Sequence, residues 1–446
     1  MGREARAVEA SEPSPHMRDT ARRIFVDALE QSSIGKAFEQ HVHYSRGVLR
    51  VCEDLYDLGS YNRVFVVAFG KAAHTMVEAL SAQIGSGMGG IVACPEAPGA
   101  QVAGFRYFYG GHPLPNTESL RAAGAILRSL HGASARWLVL YLISGGGSSV
   151  IEKPIDNEIT LDDLVATYRE LVLCGAPIAE INAVRKHLSA VKGGRLALAA
   201  REAQQVSILV SDVPPAALDA LASGPTMGDS TTVEDCYAIA HKYDLLKRLP
   251  ASVRELFATR ALEETPKPGD PLFHRSRWWP ILSSATPQKA AAAMAAAGGF
   301  AVEVDNRCDD WDYAKAADYL LKRLHDLRKG RAKVCLISGG EVTVKVSGHS
   351  GVGGRNQQFT LYCAEKIAGE NICVLSAGTD GIDGNSPAAG AVADGSTVQR
   401  ARAAGIDLSK ALKEFDAYTA FEKLGDLVVT GPTGNNVRDL RLLLAY

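Results

Sequence analysis

Three glycine-rich stretches contain residue types that bind anions in proteins. SGGGSS (144–149) follows an apolar run, and its first letters recur in LISGGEV (336–342). GHSGVGGRNQQ (348–358) places four glycines before Arg355. Because glycine carries no Cβ, such turns let backbone N–H groups approach a phosphate or carboxylate closely. The predicted phosphate-binding residues are Ser144, Gly145, Gly146, Gly147, Ser148, Ser149, Gly339, Gly340, Glu341, Gly353 and Gly354.

Charged side chains near these turns favour the anion-binding interpretation. Glycine is also common where a strand simply turns into a helix, and neither GxxxxGK[ST] nor a well-placed GxGxxG is present. Arg355, however, has a planar guanidinium group that can grip phosphate with two hydrogen bonds. Asp380 and Asp383 follow an apolar strand, where they are candidates for Mg²⁺ ligands or a proton acceptor. A turn without chemistry is the alternative for each aspartate taken singly.

A basic cluster lies in INAVRKHLSAVKGGRLA (181–197). Apolar residues at helical spacing predict one buried stripe, and Arg185 and Lys192 belong to the polar stripe beside it. Two interpretations stay open, a solvated helix face and a surface that binds an acidic substrate. On the second interpretation Arg185 and Lys186 are candidates for substrate binding, together with Asn356.

Continuous apolar strands must position these residues. RVFVVAFG (63–70) leads directly into GKAA (70–73) and a helical pattern, which is one β-α unit. Similar strands, most of them alternating with helical segments, are GGIVACP, ARWLVLYLISGGG, QQVSILVSDV, WWPILSS, GFAVEVDN, KVCLISGG and NICVLSAGTDG. This pattern predicts an α/β fold of two Rossmann-like domains, each with a mainly parallel sheet covered on both faces.

The boundary between the domains is predicted in residues 261–280, where prolines and charges interrupt the periodicity. Residues 1–16 are polar and predict a disordered extension. The N-terminal domain then covers 17–265 and the C-terminal domain 280–446. Ligands of open α/β sheets bind at the carboxyl ends of the strands. A glycine turn in each domain therefore predicts a cleft that grips a polyphosphate and an acceptor from two sides.

Composition argues against several classes of protein. The 446 residues exceed what one core usually serves, so two or three domains are expected. Forty-eight basic and fifty acidic side chains give a formal net charge of −2, which gives no reason to expect nucleic acid or a membrane surface as partner. The eight cysteines lack the two-residue spacing of metal or redox pairs, which favours a reducing cytoplasm. WLVLYLI (137–143) is far shorter than the roughly 20 residues of a membrane helix.

Motifs along the chain form one ordered set. They are GKAA, GHPLPN (111–116), SGGGSS, INAVRKHLSAVKGGRLA, SDV with ASGPT (211–226), SGGEVTV, GGRNQ (353–357), GTDGIDG (378–384) and TGPTGNNVRDL (430–440). In this order they resemble the glycerate 2-kinase family, also called MOFRL proteins, from about Arg18 to the C-terminus. So many motifs in register are far more specific than any one of them.

The resemblance implies an ATP-dependent phosphotransferase with two α/β domains and an active site between them. It implies transfer of the γ-phosphate of ATP to a hydroxyl of D-glycerate with Mg²⁺, giving 2-phosphoglycerate and ADP. The family's essential lysine and arginine fall by motif on Lys71 and Arg355, which with Asp380 are the predicted catalytic residues. The expected partners are small-molecule substrates, and the expected oligomeric state is a monomer or a homodimer.

Two other functions remain open from the sequence. An NAD(P)-dependent hydroxypyruvate reductase would have similar sheets and a related substrate, but its Gly-rich fingerprint with an acidic residue about twenty positions later is missing. A non-catalytic sugar-phosphate sensor would have little use for Asp380 and Asp383 beside an anion loop. Phosphoryl transfer needs chiefly positioning and charge neutralisation, which glycine turns, a lysine, an arginine and carboxylate-held Mg²⁺ supply.

Overall fold

Two compact units make up the chain in the computed structural model, which describes residues 16–85, 87–346, 348 and 351–446. The N-terminal unit is Ile34–Ser283, and the C-terminal unit combines residues 16–33 with Ser284–Tyr446. The predicted disordered extension (1–16) lies outside the described residues except for its last position. His349 and Ser350 also lie outside the described residues. Within the described ranges, no helix combines the length and the apolar character needed to cross a membrane.

Short helices predominate along the described chain. In chain order they are α1 (His16–Gln31), α2 (Ile34–His41), α3 (Ala73–Ile84), α4 (Thr117–Leu130), α5 (Gly147–Val150), α6 (Leu161–Leu173), α7 (Ile178–His187), α8 (Arg195–Ala199), α9 (Val233–Lys242), α10 (Ala251–Ala258), α11 (Ala285–Ala297), α12 (Tyr313–Arg328), α13 (Arg355–Lys366), α14 (Thr397–Ala403), α15 (Leu408–Lys413) and α16 (Ala417–Leu424). The helix α4 shows how the sequence sets a start, because Asn116 and Ser119 form a reciprocal capping box. Ala122, Ile126 and Leu130 then bury one face of α4.

The strands form a small antiparallel sheet and two six-stranded sheets. In chain order they are β1 (Val42–Ser45), β2 (Val48–Val51), β3 (Asp54–Asp57), β4 (Arg63–Phe69), β5 (Gly89–Cys94), β6 (Phe105–Tyr109), β7 (Trp137–Ser144), β8 (Gln204–Val210), β9 (Ser276–Leu282), β10 (Ala301–Val304), β11 (Val334–Gly340), β12 (Ile372–Gly378), β13 (Gly390–Asp394), β14 (Leu427–Val428) and β15 (Asp439–Ala445). The small sheet is β1-β2-β3.

The six-stranded sheet of the N-terminal unit is parallel throughout. Its order is β6-β5-β4-β7-β8-β9, and each neighbouring pair runs in the same direction. Strand β7 is buried from Leu138 to Ser144, as expected for a continuous apolar strand covered on both faces. The predicted α/β class and the parallel sheet are confirmed here. Because β4 and β7 are neighbours, the turns that follow them start at the same sheet edge.

The sheet of the C-terminal unit is mixed, which corrects the prediction of a mainly parallel one. Its order is β10-β11-β15-β12-β13-β14, and among these pairs β10–β11 is parallel while the others are antiparallel. Strand β15 is inserted between β11 and β12, which point the same way. Every residue of β15 is buried. The alternation of strands and helices did not predict this central strand, because no helical segment directly precedes its sequence DLRLLLA (439–445).

The division between the units differs from the boundary predicted in 261–280. Strand β9 crosses the end of that segment and pairs with β8, so the N-terminal unit continues to Ser283. Helix α1 precedes this unit in the sequence but packs in the C-terminal unit, where Phe25 shares a core cluster with Ala291 and Leu375. Helical periodicity shows that a helix buries one face without showing what covers it.

Candidate active site

Two glycine turns lie side by side at the carboxyl edge of the N-terminal sheet. The N–H of Lys71 donates to the carbonyl oxygen of Gly145 at 2.9 Å, and the N–H of Ala72 donates to Oγ of Ser144 at 3.0 Å. A Cβ on Gly70, whose φ is +117°, would lie 2.4 Å from that Oγ. Only glycine therefore permits this approach. The structure brings the predicted lysine and the SGGGSS turn together.

Lys71 and His112 both contact the turn at Gly146. The φ of Gly146 is +80°, and a Cβ there would lie 3.1 Å from Cγ of Lys71 and 3.4 Å from Cε1 of His112. Nδ1 of His112 lies 3.1 Å from Oγ of Ser149. Burial, and then the charge of Lys71, lower the pKa of His112, so its imidazole is neutral at neutral pH. His112 was not among the predicted site residues, although the motif GHPLPN (111–116) contains it.

The other side of the SGGGSS turn packs against the chain near Ala222. A Cβ on Gly147 would lie 2.9 Å from Cβ of Ala222, and Oγ of Ser148 lies 2.9 Å from Oγ of Ser223. Ala222 and Ser223 have φ values of +50° and +62°. This left-handed region costs an L-residue about 1 to 2 kcal/mol. The helix α5 begins at this turn, and the N–H of Ser149 donates to the carbonyl oxygen of Gly146 at 3.3 Å. The N–H groups that precede Ser149 are the candidates for an anion cradle.

The basic cluster of 181–197 is not a solvated helix face. The helix α7 ends at His187, and Lys186 is only 4% exposed. Nζ of Lys186 lies 3.1 Å from Oδ1 of Asp229 and 3.3 Å from Oδ2 of Asp219. These two carboxylates satisfy Lys186 inside the unit. The structure thus gives Lys186 internal partners instead of a place on a substrate-binding surface.

A buried ionic network surrounds Glu152, two residues after α5. Its carboxylate is fully buried and accepts hydrogen bonds from the hydroxyls of Tyr168 and Ser189, each at 2.5 Å. Nζ of Lys192 donates to the same carboxylate. Lys192 is 1% exposed, and burial lowers its pKa even though pairing with Glu152 opposes that shift. Lys192 was predicted in the polar stripe of 181–197, but its pairing with Glu152 and Tyr168 was not, because these two residues come from other segments.

Arg185 adds a second cation to this network. Its guanidinium group lies 4.6 Å from the ring centroid of Tyr168, and its buried Nε has no hydrogen-bond acceptor within the described part of the chain. Arg185 and Lys192 together face the single carboxylate of Glu152, so the network carries an excess positive charge. Of the two basic residues predicted to bind substrate, Arg185 is the one that the structure leaves suited to an acidic ligand.

The second LISGG stretch is not structurally equivalent to the first. Strand β11 continues through Gly340, whereas β7 ends and α5 begins within the first stretch. The N–H of Gly339 donates to Oδ1 of Asn306 at 2.8 Å, and the N–H of Glu341 donates to Oδ1 of Asp309 at 3.0 Å. Gly339, Gly340 and Glu341 were predicted to bind phosphate. In the structure, side chains of the same unit already accept the N–H groups of Gly339 and Glu341.

Arg355 begins α13 and is held by two carboxylates. Its Nε and Nη2 donate to Oδ2 and Oδ1 of Asp439 at 2.7 and 2.9 Å, and Nη2 lies 3.0 Å from Oε1 of Glu341. Burial alone would lower the pKa of Arg355, but the hydrogen bonds and charge of Asp439 raise it above its ordinary value. Because Asp439 occupies the edge formed by Nε and Nη2, an anionic ligand would meet Arg355 through Nη1.

Asp439, the partner of Arg355, belongs to a group of charged residues to which the sequence motifs assigned no role. Asp439 opens β15 and is 2% exposed. Its neighbour Arg438 donates to both carboxylate oxygens of Asp309, at 2.6 and 2.7 Å. The fully buried Arg441 lies 3.6 Å from Asp439. The signal in the sequence was the pair Arg438 and Asp439 at the entrance to an otherwise apolar strand.

Asp383 and Asn356 stabilise the start of α13. Asp383 is 1% exposed and accepts hydrogen bonds from the N–H groups of Gln357 and Asn356, at 2.8 and 3.1 Å. Burial raises the pKa of Asp383 to about 6. Asn356 is also 1% exposed and accepts from Oγ of Ser376 at 2.6 Å. A Cβ on Gly354 would lie 2.3 Å from Oδ1 of Asp383, so this glycine makes room for the capping carboxylate.

Gly353 and Asp380 lie beside this capped helix end. The N–H of Gly353 donates to Oδ1 of Asn385 at 2.8 Å, which is again a contact within the unit. Asp380 is partly exposed, and its Oδ1 accepts from the N–H of Ile382 at 3.2 Å. A Cβ on Gly378 would lie 2.9 Å from that oxygen and 3.5 Å from Oδ1 of Asp439. Asp380 and Asp439 therefore share one strand end.

In the C-terminal unit, Asp380 is better suited than Asp383 to be a ligand of Mg²⁺. Within the described ranges, no group of three or more His, Cys, Asp and Glu side chains is arranged to hold a metal ion. Mg²⁺ at nucleotide sites commonly takes one or two carboxylates and completes its shell with phosphate oxygens and water. The partly exposed Asp380 suits such a ligand set, whereas both oxygens of Asp383 accept N–H hydrogen bonds.

We expect Gly146→Val to abolish ligand binding at the SGGGSS turn while the N-terminal unit stays folded. A valine there would take the space against Lys71 and His112 and would be strained at the observed φ of +80°. Gly175→Val is the matched control, because Gly175 has a φ of +77° with nothing within 4 Å of its Cβ position. Isothermal titration with ATP would measure both variants. Equal affinities for ATP in the two variants would contradict the assignment of the SGGGSS turn as an anion-binding site.

The two units have the architecture of an α/β enzyme. A family described as "Domain of unknown function (DUF4147)" matches residues 20–258, and the MOFRL family matches residues 334–439. The glycerate 2-kinase of Pyrococcus horikoshii is 37% identical over 85% of this chain and 86% of its own length. The chain belongs to the glycerate kinase family.

Further similarities bear on fold and activity. The crystal structure of glycerate kinase from Thermotoga maritima matches with a TM-score of 0.84 and 32% identity, over 97% of this chain and all of that one. A protein of Agrobacterium vitis with the provisional name hydroxypyruvate reductase is 39% identical, over 86% of this chain and 87% of its own length. Both names occur within one family, so the choice between the activities is taken up next.

Proposed function

We propose that this chain is a glycerate 2-kinase, which transfers the γ-phosphate of ATP to the 2-hydroxyl of D-glycerate and releases 2-phosphoglycerate and ADP. The observation that carries the proposal is Lys71 lying against the glycine turn at Gly146. A cation beside a row of backbone N–H groups suits a phosphate group undergoing transfer. The names of the relatives from Pyrococcus horikoshii and Thermotoga maritima support the same activity.

The N-terminal unit is proposed to hold phosphate and the acid group of glycerate. The ammonium group of Lys71 neutralises phosphate charge while the SGGGSS turn donates N–H groups. His112 keeps a neutral imidazole beside the turn and orients Ser149 by their hydrogen bond. Arg185 binds the carboxylate of glycerate, since its network holds an excess positive charge. Tyr168 fixes the direction of that guanidinium group by stacking.

The C-terminal unit is proposed to stabilise the charge that moves during transfer. Asp439 holds Arg355 in one orientation, so that Nη1 can donate to an oxygen of the transferring group without reorganisation. Asp380 would hold Mg²⁺, which, when bound, neutralises charge on the β- and γ-phosphate oxygens. Asp383 supports this edge by capping α13.

We expect the product to be 2-phosphoglycerate and not the 3-isomer. Purified protein would be incubated with ATP, Mg²⁺ and D-glycerate, and phosphorus NMR would identify the ester, since the two isomers have distinct signals. A reaction without glycerate controls for ATP hydrolysis. Exclusive formation of 3-phosphoglycerate would contradict the assignment of the 2-hydroxyl as the acceptor. ATP that stays intact would contradict the proposed kinase activity.

Hydroxypyruvate reduction is the second candidate, favoured by the name of the Agrobacterium vitis relative. The sequence lacks the dinucleotide fingerprint, and the turn after β4 carries Lys71 in its place. Mixing the protein with hydroxypyruvate and NADH or NADPH would test this activity directly. Loss of nicotinamide absorbance at a rate above that of a heat-treated sample would favour the reductase over the kinase.

A further inference from the structure

A basic groove runs over the N-terminal unit. Three cavities of about 480, 880 and 600 Å³ share wall residues there. Arg128 on α4 lines all three, while Arg106 and Lys153 line two each. We call this surface the amino-edge groove and define it by Arg63, Arg106, Arg128 and Lys153.

The first cavity of the groove lies at the opposite sheet edge from the glycine turns. It is lined by Arg63 at the start of β4, by Gly89 at the start of β5 and by Arg106 near the start of β6. These three strands are parallel neighbours, so their amino ends share one edge. Gly70 and Ser144 mark the carboxyl edge. A ligand held by Arg63 and Arg106 in the first cavity therefore occupies a site separate from the reacting phosphate.

The cations of the groove lack acidic partners. Among the residues that the structure describes, no carboxylate lies within 4 Å of the charged groups of Arg63, Arg106, Arg128 or Lys153, whereas nearby Arg121 pairs with Glu118. Asp156 lines one of the three cavities and Glu202 another, so the cations of the groove still outnumber its carboxylates. The whole chain has a formal net charge of −2, so this concentration of unpaired positive charge is local.

Two of these arginines are held in place by aromatic rings. The guanidinium of Arg63 lies 4.4 Å from the ring centroid of Trp137 and 5.0 Å from that of Phe65. The guanidinium of Arg106 lies 4.7 Å from the ring centroid of Phe108. Stacking uses the face of each group and leaves its N–H edges for hydrogen bonds to oxyanions. The arginines are thus oriented before any ligand arrives, which reduces the entropic cost of binding one.

We propose that the amino-edge groove binds a small polyphosphate-bearing molecule as a second ligand, separate from the ATP that reacts. The cavity volumes fall in the range of small-molecule sites, which favours a compact ligand over a flat macromolecular surface. Several unpaired cations require an occupant with several negative charges. Phosphate oxygens accept bidentate hydrogen bonds from arginine, so a polyphosphate group meets both conditions.

Titration of the full chain with inorganic tripolyphosphate tests the inference. We expect wild type to bind at two classes of site, one of which is lost in the Gly146→Val variant. The triple variant Arg106→Gln, Arg128→Gln, Lys153→Gln should lose about a hundredfold or more in affinity at the other class, because charge-assisted hydrogen bonds disappear there. The rate of the ATP reaction in that variant should stay at the wild-type value.

The matched control replaces three exposed cations elsewhere, Arg254→Gln, Arg402→Gln and Lys423→Gln, with the same change in net charge. It should bind tripolyphosphate at both classes as wild type does. A single class that is lost in Gly146→Val, or equal losses in the two triple variants, would overturn the second site. Tight binding of a short single-stranded RNA or of anionic vesicles to wild type, abolished only in the groove variant, would overturn the small-molecule ligand. These titrations measure binding, so their outcome does not depend on the kinase assignment.

Discussion

Arg355→Ala should reduce kcat by about 10³ to 10⁵ while the C-terminal unit stays folded, since an arginine on a transferring phosphoryl group contributes that much to rate. The side chain is 37% exposed and its position is set by Asp439 and Glu341. Its loss removes positive charge from a place where negative charge develops. Steady-state kinetics with ATP and D-glycerate, combined with thermal melts, would measure the effect.

Two further substitutions sharpen this expectation. Arg355→Lys should recover little activity, because the single nitrogen of an ammonium group cannot reproduce the planar array in which Nε and Nη2 bond Asp439 while Nη1 faces the phosphate. Arg323→Ala is the matched control, since Arg323 is an arginine of the same unit that pairs with Glu303 on the surface. Near-native turnover in a folded Arg355→Ala protein would contradict the catalytic assignment.

Lys71 provides an independent check on the same transition state. Lys71→Ala should lower kcat to a degree comparable with Arg355→Ala. If both cations stabilise one transition state, the double variant should lose much less than the sum of the two single losses in free energy. Fully additive losses would indicate that the two residues act in separate steps.

Lys192→Met should destabilise the N-terminal unit by about 3 to 5 kcal/mol, since it removes the cation that is hydrogen-bonded directly to a buried carboxylate. Glu152 would remain with no exposure to water and with neutral donors only, namely the hydroxyls of Tyr168 and Ser189 and the N–H of Lys153, as its hydrogen-bond partners. Urea unfolding followed by tryptophan fluorescence would measure the change. The transition assigned to the N-terminal unit is the relevant one, because a chain of two units need not unfold in one step.

The comparison variants separate charge from packing in this network. Lys192→Met combined with Glu152→Gln should recover part of the lost stability, because neither charge is then buried alone. Lys242→Met is the control, since Lys242 pairs with Glu180 on the surface of the same unit, and its loss should change stability little. A Lys192→Met protein as stable as this control would show that the buried pair contributes nothing.

The sequence predicted the site residues that stand next to glycine turns, and it missed their partners. Lys71 and Arg355 were proposed as site residues because each lies in a short stretch whose composition is informative on its own. Asp439 lies 84 positions from Arg355, and Lys192 lies 40 positions from Glu152. Such pairs are formed by strand order and helix packing, which no local spacing encodes.

The repeated LISGG shows the limit of local similarity. After Gly146 the chain has Gly147 and two serines and forms α5, whereas after Gly340 it has Glu341 and continues without that helix. Asn306 and Asp309 then take the N–H donors of the second stretch. The parallel N-terminal sheet was predicted because helices separate its strands. The mixed C-terminal sheet was not, because β15 enters it without a preceding helix.

The place of β15 in its sheet sets an order of events during synthesis on the ribosome. Strands β11 and β12 flank β15, yet both emerge before it, so neither can complete its central pairing until Asp439–Ala445 has been made. Helix α1, which packs on the same sheet, is synthesised before the N-terminal unit. It can complete its packing only after that unit and the strands of the C-terminal sheet have been synthesised. The nascent C-terminal unit thus exposes two unpaired, apolar strand edges. Chaperone binding to β11 and β12 should be strongest in that interval, because unpaired edges recruit other chains.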